Sequence, residues 1–154
     1  KQLKKRLAST VKFGLTDLYL FCAYSGCCST LDFGSANLVV AIPDDWIDVQ
    51  TVADLEEVSF DFRDKKNKRL RVATKYPNLT NNFLVSKGVT QYKLVPSLGA
   101  TETYPFIGSS EIIIDITSSG KTLRDNNLRV LKDGLILKSC ACLMIAKKSK
   151  NKKF

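Results

Sequence analysis

The chain has 154 residues, of which 44% are hydrophobic and 25% charged, a composition that excludes an intrinsically disordered chain. It contains no histidine, which excludes histidine-based acid–base catalysis and histidine metal ligands. The net charge of +9 favours anionic partners, either small phosphorylated molecules or nucleic acid. Lysines at the two ends of the chain supply much of this charge, and such terminal runs are commonly just solvated.

The five cysteines are odd in number and form no C-x-x-C pair, which favours buried, reduced thiols over disulfides or a metal site. Cys140 and Cys142 lie two residues apart in an apolar run, so that they would share one face of a strand. Residues 13–24 are apolar but few, and they include Asp17, so we expect no membrane span. We also see no secretory signal, and we expect a cytoplasmic protein.

The first 32 residues have the weakest pattern, which is compatible with a helix over residues 4–13 and a strand over 13–18. Residues 36–43 then read as a buried strand that ends at Pro43, followed by a turn over 44–48. Thr51 is a suitable N-cap for a short helix over residues 51–58, and we expect residues 61–69 to form a charged connection.

Strands and helices alternate through the rest of the chain. The predicted elements are a strand at 70–74, a helix at 79–87 ended by Gly88, a strand at 92–95, a helix at 97–108, an isoleucine-rich strand at 112–116 and a closing strand at 135–145. This order predicts an α/β fold with a mostly parallel sheet. Ligands of such folds bind beyond the C-terminal ends of the strands. Two lysine-bearing segments are predicted there, residues 75–77 and the loop of residues 117–122, called the 117–122 loop below.

The isoleucine-rich strand and the loop after it have the chemistry of a phosphate site. A turn of small residues at the end of a buried strand exposes several backbone N–H groups, and Lys121 adds a positive charge. Asp115, just before the turn, could bind the hydroxyls of a sugar whose phosphate lies in the loop. An ordinary solvated β-turn accounts for the same residues equally well.

Residues 102–123 resemble the signature of ATP phosphoribosyltransferase. The matching positions are Glu102, Gly108, Ser110, Ile113, Asp115, Ile116, Ser119, Gly120, Thr122 and Leu123. Residues 31–34, 70–79, 97–102 and 122–128 also look like the family, so that the resemblance covers about residues 31–146.

The resemblance implies a catalytic core of two α/β lobes, like a type II periplasmic binding protein, with the active site between them. The implied reaction joins N1 of ATP to C1′ of phosphoribosyl pyrophosphate (PRPP), releases pyrophosphate, uses Mg²⁺ and begins histidine biosynthesis. The implied PRPP-binding residues are Asp115, Thr117, Ser118, Ser119, Gly120, Lys121 and Thr122. Asp115 would bind the ribose hydroxyls, and the loop N–H groups with the Ser119 and Thr122 hydroxyls would bind the 5′-phosphate.

The implied chemistry needs neither a nucleophile nor a general base from the protein, because the adenine nitrogen attacks directly and pyrophosphate leaves. Positioning and charge stabilisation are expected to supply most of the rate. Lys75 and Glu102 are further candidates to face the cleft. For Glu102 an ordinary acid on a helix surface is equally supported.

The resemblance is weak at the start of the chain, so we expect residues 1–40 to be the remnant of a first lobe. Residues 41–146 would form the second lobe with the PRPP-binding loop, and 147–154 a basic tail. Because the first lobe should help to hold ATP, we expect little or no catalysis by this chain alone.

The chain resembles the short form of the family, which works with a regulatory subunit similar to histidyl-tRNA synthetase. Residues 42–48 resemble bacterial short forms, which indicates a bacterial cytoplasmic protein. Two other readings stay open. One is a two-lobe solute-binding module without catalysis. The other is a nucleic-acid binder, although the basic clusters lack the interleaved aromatic residues typical of one.

Overall fold

A computed structural model of the chain describes residues 27–30, 34–140 and 142–144. The chain divides into two units, one of residues 36–138 and one of residues 1–35 with 139–154. The helix and strand predicted within residues 4–18 lie outside the described residues. None of the helices in the described part of the chain is long and apolar enough to cross a membrane.

In the unit that holds the two chain ends, strand β1 (Cys27–Thr30) pairs antiparallel with strand β7 (Cys142–Met144). Ser29 lies opposite Leu143 in this ladder. The sequence predicted one closing strand over residues 135–145, and this is wrong because the chain leaves strand β6 (Leu128–Ser139) before β7 begins. Cys140, between them, is half-buried and is not in a disulfide.

The unit of residues 36–138 is built on a five-stranded sheet. Its strands are β2 (Ala36–Pro43), β3 (Leu70–Thr74), β4 (Tyr92–Pro96), β5 (Ile112–Thr117) and β6, in the spatial order β4-β3-β5-β2-β6. β3 runs parallel to both β4 and β5, whereas β2 pairs antiparallel with β5. The predicted α/β class is therefore confirmed, with the correction that the sheet is mixed at β2.

The isoleucine-rich strand β5 lies at the centre of this sheet and is buried on both faces. Ile112 and Ile114 join the larger apolar cluster with Val40 and Val72, whereas Ile113 points into a second cluster on the opposite face. A near-continuous β-branched run is the expected sequence for a strand covered on both sides.

Helix α1 (Val52–Lys66) covers one face of the sheet through Val52 and Leu55. The predicted N-cap is confirmed, because the Thr51 side chain accepts from the Asp54 N–H and the Asp54 carboxylate accepts from the Thr51 N–H. The charged connection predicted over residues 61–69 is wrong, since the helix continues to Lys66. An exposed Asp61–Lys65 ion pair, one helical turn apart, supports this continuation.

Helix α2 (Pro77–Ser86) packs Leu84 into the same cluster, and Gly88 with φ +86° follows its C-cap as predicted. The helix predicted over residues 97–108 is wrong. Only a single 3₁₀ turn, Thr101–Thr103, forms there, and turns continue to Gly108 with φ +70°. Pro105 and two glycines explain why this segment does not hold a regular helix.

Strand β6 interleaves apolar residues with polar ones, and two of its polar side chains bond other parts of the chain. Arg129 donates to the carbonyl oxygens of Trp46 and Val49, both at 2.6 Å. Asp133 accepts from the Val52 N–H at 2.8 Å, at the start of α1. Gly134 admits the close approach of β2, since a Cβ there would lie 3.1 Å from the Val40 carbonyl oxygen.

Candidate functional site

The two lysine-bearing segments predicted at the edge of the sheet do lie side by side. β3 and β5 are parallel neighbours with Thr74 opposite Ile114, so Lys75 and the 117–122 loop follow adjacent strand ends. The Lys75 Nζ lies 4.0 Å from Asp115 Oδ2, and this ion pair joins two residues that the sequence singled out separately. The Asp115 side chain is only 16% exposed and that of Lys75 38%. The carboxylate is therefore held in place, while the ammonium group reaches solvent.

Buried hydroxyls fix the backbone that carries Lys75. The Thr74 hydroxyl oxygen accepts from the Tyr76 N–H at 3.0 Å and from the Thr80 hydroxyl at 3.2 Å, and both threonines are almost fully buried. Beside them, the Ser97 and Thr101 hydroxyls are 2.8 Å apart, and the Ser97 N–H donates to the Thr74 carbonyl oxygen. The sequence pattern did not identify this hydroxyl cluster, because isolated Thr and Ser residues near strand ends carry no distinctive spacing.

The 117–122 loop closes on itself through its own hydroxyls. The Gly120 N–H donates to Thr117 Oγ1 at 2.9 Å, and the Lys121 N–H donates to Ser119 Oγ at 3.3 Å. Gly120 has φ +69°, in the region that favours glycine, and is the N-cap of the short helix α3 (Lys121–Asp125). Leu123 anchors α3 in the second apolar cluster. The predicted turn of small residues therefore forms, and two of its N–H groups are already paired with hydroxyls.

The remaining predicted residues surround this turn. Ser118, Ser119, Lys121 and Thr122 are exposed, whereas Thr117 is half-buried and pairs with Asn37 at the start of β2. Because β2 runs antiparallel to β5, its first residues reach the edge where the loop lies. Asn37 is thus a neighbour of the site that a purely parallel arrangement would have placed at the opposite edge.

Glu102 lies half-buried on the 3₁₀ turn after β4. Within residues 34–140 it forms no ion pair, so the structure does not join it to Lys75 or Asp115. The described residues also contain no group of three or more Asp, Glu, Cys or His side chains that could hold a metal ion.

At the N-terminal ends of these two strands, away from the 117–122 loop, Arg71 and Glu111 join the starts of β3 and β5. The Arg71 Nη2 lies 2.5 Å from Glu111 Oε1, and the Arg71 backbone N–H donates to Oε2 at 2.6 Å. The hydrogen bonds to Glu111 raise the pKa of Arg71 above its ordinary value. This pair lines a cavity of about 730 Å³ that is separate from the 117–122 loop.

In a comparison with protein families, residues 26–154 of the sequence match a family described as ATP phosphoribosyltransferase. The ATP phosphoribosyltransferase of Chelativorans sp. strain BNC1 is 54% identical over 121 residues, covering 78% of this chain and 53% of that protein. That of Bradyrhizobium sp. strain ORS 278 is 54% identical over 118 residues, covering 77% of this chain and 36% of that protein. The chain thus spans about half or less of the length of these relatives.

Two solved structures resemble the fold. One is the ATP phosphoribosyl transferase (HisG:HisZ) complex from Thermotoga maritima, with TM-score 0.59 and 26% identity, covering 80% of this chain and 51% of that chain. The other is the GluR0 ligand-binding core in complex with L-glutamate, with TM-score 0.51 and 16% identity, covering 84% of this chain and 54% of that chain. The second likeness concerns the fold alone and agrees with the predicted resemblance to a periplasmic binding protein.

Proposed function

We propose a function for this chain from the premise that it belongs to the ATP phosphoribosyltransferase family, whose model matches residues 26–154. The proposed reaction transfers the phosphoribosyl group of PRPP to N1 of ATP and releases pyrophosphate, as the first step of histidine biosynthesis. In this proposal residues 36–138 hold PRPP. The rest of the active site, including much of the ATP site, belongs to a first lobe.

The observation that carries the proposal is the meeting of Asp115, Lys75 and the 117–122 loop at one edge of the sheet. Asp115 would accept hydrogen bonds from the ribose hydroxyls, because its carboxylate is held just before the start of the loop. Lys75, 4.0 Å from it, would lie beside the sugar and favour the negatively charged substrate. A sugar with phosphate groups fits this combination of one carboxylate, the two ammonium groups of Lys75 and Lys121, and a turn of N–H donors.

The 117–122 loop would hold the 5′-phosphate by exchange of hydrogen bonds. The Gly120 and Lys121 N–H groups donate to the loop hydroxyls of Thr117 and Ser119 in this structure. A phosphate oxygen is a stronger, charged acceptor and would replace those hydroxyls. The released Ser119 hydroxyl, with those of Ser118 and Thr122, would then be able to donate to the phosphate. The Lys121 ammonium group adds a charge beside it.

The chain's own residues would bind and orient rather than react. The adenine nitrogen supplies the electron pair that forms the new C–N bond at C1′, and the C1′–oxygen bond to pyrophosphate breaks. Asp115 would fix the ribose so that C1′ faces the incoming nitrogen, and such positioning can account for much of a rate enhancement. Glu102, on the 3₁₀ turn after β4, remains a candidate to face the cleft.

The family reaction uses a metal ion, and we propose Mg²⁺. This cation prefers oxygen ligands, keeps several waters, and is commonly held by substrate phosphates with one or two carboxylates. The donor set fits that mode, because Asp115 supplies one carboxylate beside the loop that would hold the substrate phosphate. Mg²⁺ would neutralise charge on the pyrophosphate group, while Asp115 would orient the ribose next to it.

We further propose that the chain works in a hetero-oligomer with a regulatory subunit similar to histidyl-tRNA synthetase, in the bacterial cytoplasm. The support for this is the fold likeness to the HisG:HisZ complex from Thermotoga maritima and the bacterial origin of the related sequences. We propose no nucleic-acid partner.

Substitution of Asp115 by Asn tests the site directly. The chain should bind PRPP in the presence of Mg²⁺ in isothermal titration calorimetry, and Asp115→Asn should lose that binding while its thermal unfolding stays cooperative. Asp61→Asn is the matched control, since Asp61 lies exposed on α1 and pairs only with Lys65 among the described residues. Unchanged binding by Asp115→Asn would contradict the assignment of the ribose site.

A solute-binding module without catalysis is the second candidate, since the fold alone, which also resembles the GluR0 ligand-binding core, is compatible with it. The two candidates differ in ligand. Saturable binding of an amino acid such as L-glutamate, together with no heat on titration of PRPP, would support the module. PRPP binding without amino-acid binding would support the transferase.

A further inference from the structure

The guanidinium group of Arg124 lies against the 117–122 loop. Its Nη2 donates to the Ser119 carbonyl oxygen at 3.2 Å. Its Nη1 lies 3.0 Å from the position that a Cβ on Gly120 would occupy. The planar group is therefore packed beside the two residues at the middle of the turn, and the missing side chain of Gly120 gives it room to do so.

The local fold explains this placement. The Arg124 N–H donates to the Gly120 carbonyl oxygen at 3.1 Å, so Arg124 sits one helical turn after Gly120. Side chains on a helix lean toward the preceding turn, which directs this one back over the loop. The short helix α3 and its buried Leu123 thus hold an arginine above the turn that precedes them.

No carboxylate among the described residues neutralises the charge of Arg124. Within residues 34–140 it forms no ion pair, unlike Arg71 with Glu111 and Arg63 with Asp64. A guanidinium group has five N–H donors, and the Ser119 carbonyl uses one of them. The remaining donors form a flat fork that matches two oxygens of a phosphate group, which a lysine ammonium cannot match in the same way.

We propose that Arg124 is a further ligand of the 5′-phosphate of PRPP, to which it would donate through the edge of the guanidinium that the loop leaves open. This inference rests on the proposed function of the 117–122 loop. Arg124 therefore has two roles, since the same group braces the Ser119 carbonyl and neutralises the phosphate.

Arg124→Gln separates the two roles. A glutamine amide can still donate to the Ser119 carbonyl and brace the loop, but it has no charge to offer a phosphate. Arg124→Lys keeps the charge and loses the fork. Arg63→Gln is the control, because it removes the same charge from an exposed arginine on α1, away from the loop.

Calorimetric titrations with PRPP, ribose 5-phosphate and pyrophosphate on the full chain and these variants test the proposal. Arg124→Gln should lower the affinity for PRPP and for ribose 5-phosphate about 10- to 100-fold, the usual effect of losing a charged hydrogen bond. Arg124→Lys should fall between Arg124→Gln and the unaltered chain. Pyrophosphate affinity should change little, and the affinity for ribose 5-phosphate should depend less on salt in Arg124→Gln. Arg63→Gln should match the unaltered chain.

Either of two results would overturn the proposal while leaving the proposed function intact. One is Arg124→Gln binding PRPP and ribose 5-phosphate like the unaltered chain, which would assign Arg124 a bracing role only. The other is an equal loss for pyrophosphate and ribose 5-phosphate, which would place the contact elsewhere on the substrate. Failure of the unaltered chain to bind PRPP or ribose 5-phosphate is a different outcome, since it would overturn the proposed function and this inference with it.

Discussion

At the residue scale, Gly120 meets two requirements that no other residue type meets together. Its φ of +69° favours glycine, and its empty side-chain position accommodates the Arg124 guanidinium. Any side chain at position 120 would disturb both the turn and the arginine that lies against it.

Gly120→Ala should therefore lower the free energy of unfolding by about 1–2 kcal/mol, the usual cost of a left-handed backbone in a residue with a Cβ. It should also weaken PRPP binding, because the loop N–H groups would be displaced. Gly99→Ala is the control, since a Cβ there meets nothing within 4 Å and Gly99 does not have a positive φ. Chemical denaturation and calorimetry measure the two effects. Equal stability and affinity for both alanine variants would contradict this account of Gly120.

At the element scale, the start of α1 depends on the Asp54 carboxylate. The backbone N–H groups of Gln50 and Thr51 donate to it, and these bonds lower the pKa of Asp54 below its ordinary value of 3.8. Because the folded-state pKa is the lower one, the stabilisation is fully present above about pH 3.8. It is lost as the pH falls through the folded-state pKa.

Asp54→Asn should thus be less stable than the unaltered chain from pH 5 to 7, a range about one unit or more above the ordinary pKa. This difference should shrink below pH 3.8 as the carboxyl group of the unaltered chain becomes protonated. Urea denaturation across this range measures the difference, with Asp61→Asn on the same helix as the control. A difference that does not vary with pH would show that hydrogen bonding to the charged form is not the cause.

The second element-scale prediction concerns the Arg71–Glu111 pair, which joins the starts of β3 and β5. Glu111→Ala should cost about 1 kcal/mol, because charged hydrogen bonds are lost but Arg71 is 40% exposed and can be solvated. Asp61→Ala removes the exposed pair within α1 and should cost only a few tenths of a kcal/mol. Chemical denaturation measures the free energy of unfolding of both variants. Equal losses for Glu111→Ala and Asp61→Ala would contradict the larger contribution of the Arg71–Glu111 pair.

Much of the fold around the site follows from local sequence chemistry. Thr51 with Asp54, Pro43 at a strand end and the β-branched run of β5 each act through neighbouring residues, and each was predicted. Longer-range effects were not predictable in the same way. Strand β6, in which polar and apolar residues are mixed, is held in part by Arg129 and Asp133, which bond residues some eighty positions earlier, such as Val49 and Val52. The contact between Lys75 and Asp115 likewise depends on which strands become neighbours.

The antiparallel pairing of β2 was missed for a related reason. A strand buried on both faces has the same hydrophobic pattern whichever way it runs, so residues 36–43 alone could not give its direction. The loop chemistry was predictable because its small residues and its lysine are contiguous. Arg124 was not assigned a role, because its position over Gly120 appears only once α3 is formed.

At the scale of the whole molecule, binding and catalysis are expected to separate. Residues 36–138 form a unit with its own buried core and hold every residue assigned to PRPP, whereas the proposed ATP site lies largely in a first lobe. The chain alone should bind PRPP yet form little or no phosphoribosyl-ATP. Chromatography of reactions containing PRPP, ATP and Mg²⁺ measures the product, with a full-length bacterial relative as the positive control. Turnover comparable to that relative would show that the chain needs no further ATP-binding residues.

The central position of β5 also has a consequence for amide hydrogen exchange. The amides of Ile113 and Ile114 lie between β3 on one side and β2 on the other, so we expect them to exchange with solvent only when the whole unit unfolds. The Gly120 N–H, a few residues later, donates to the Thr117 hydroxyl in a half-buried turn, and this amide should exchange through small local openings. One short stretch of chain therefore contains both slowly exchanging and rapidly exchanging amides. A phosphate ligand in the loop would slow exchange of the Gly120 amide strongly. It would slow exchange of the Ile113 and Ile114 amides much less, because they respond only to the global stability.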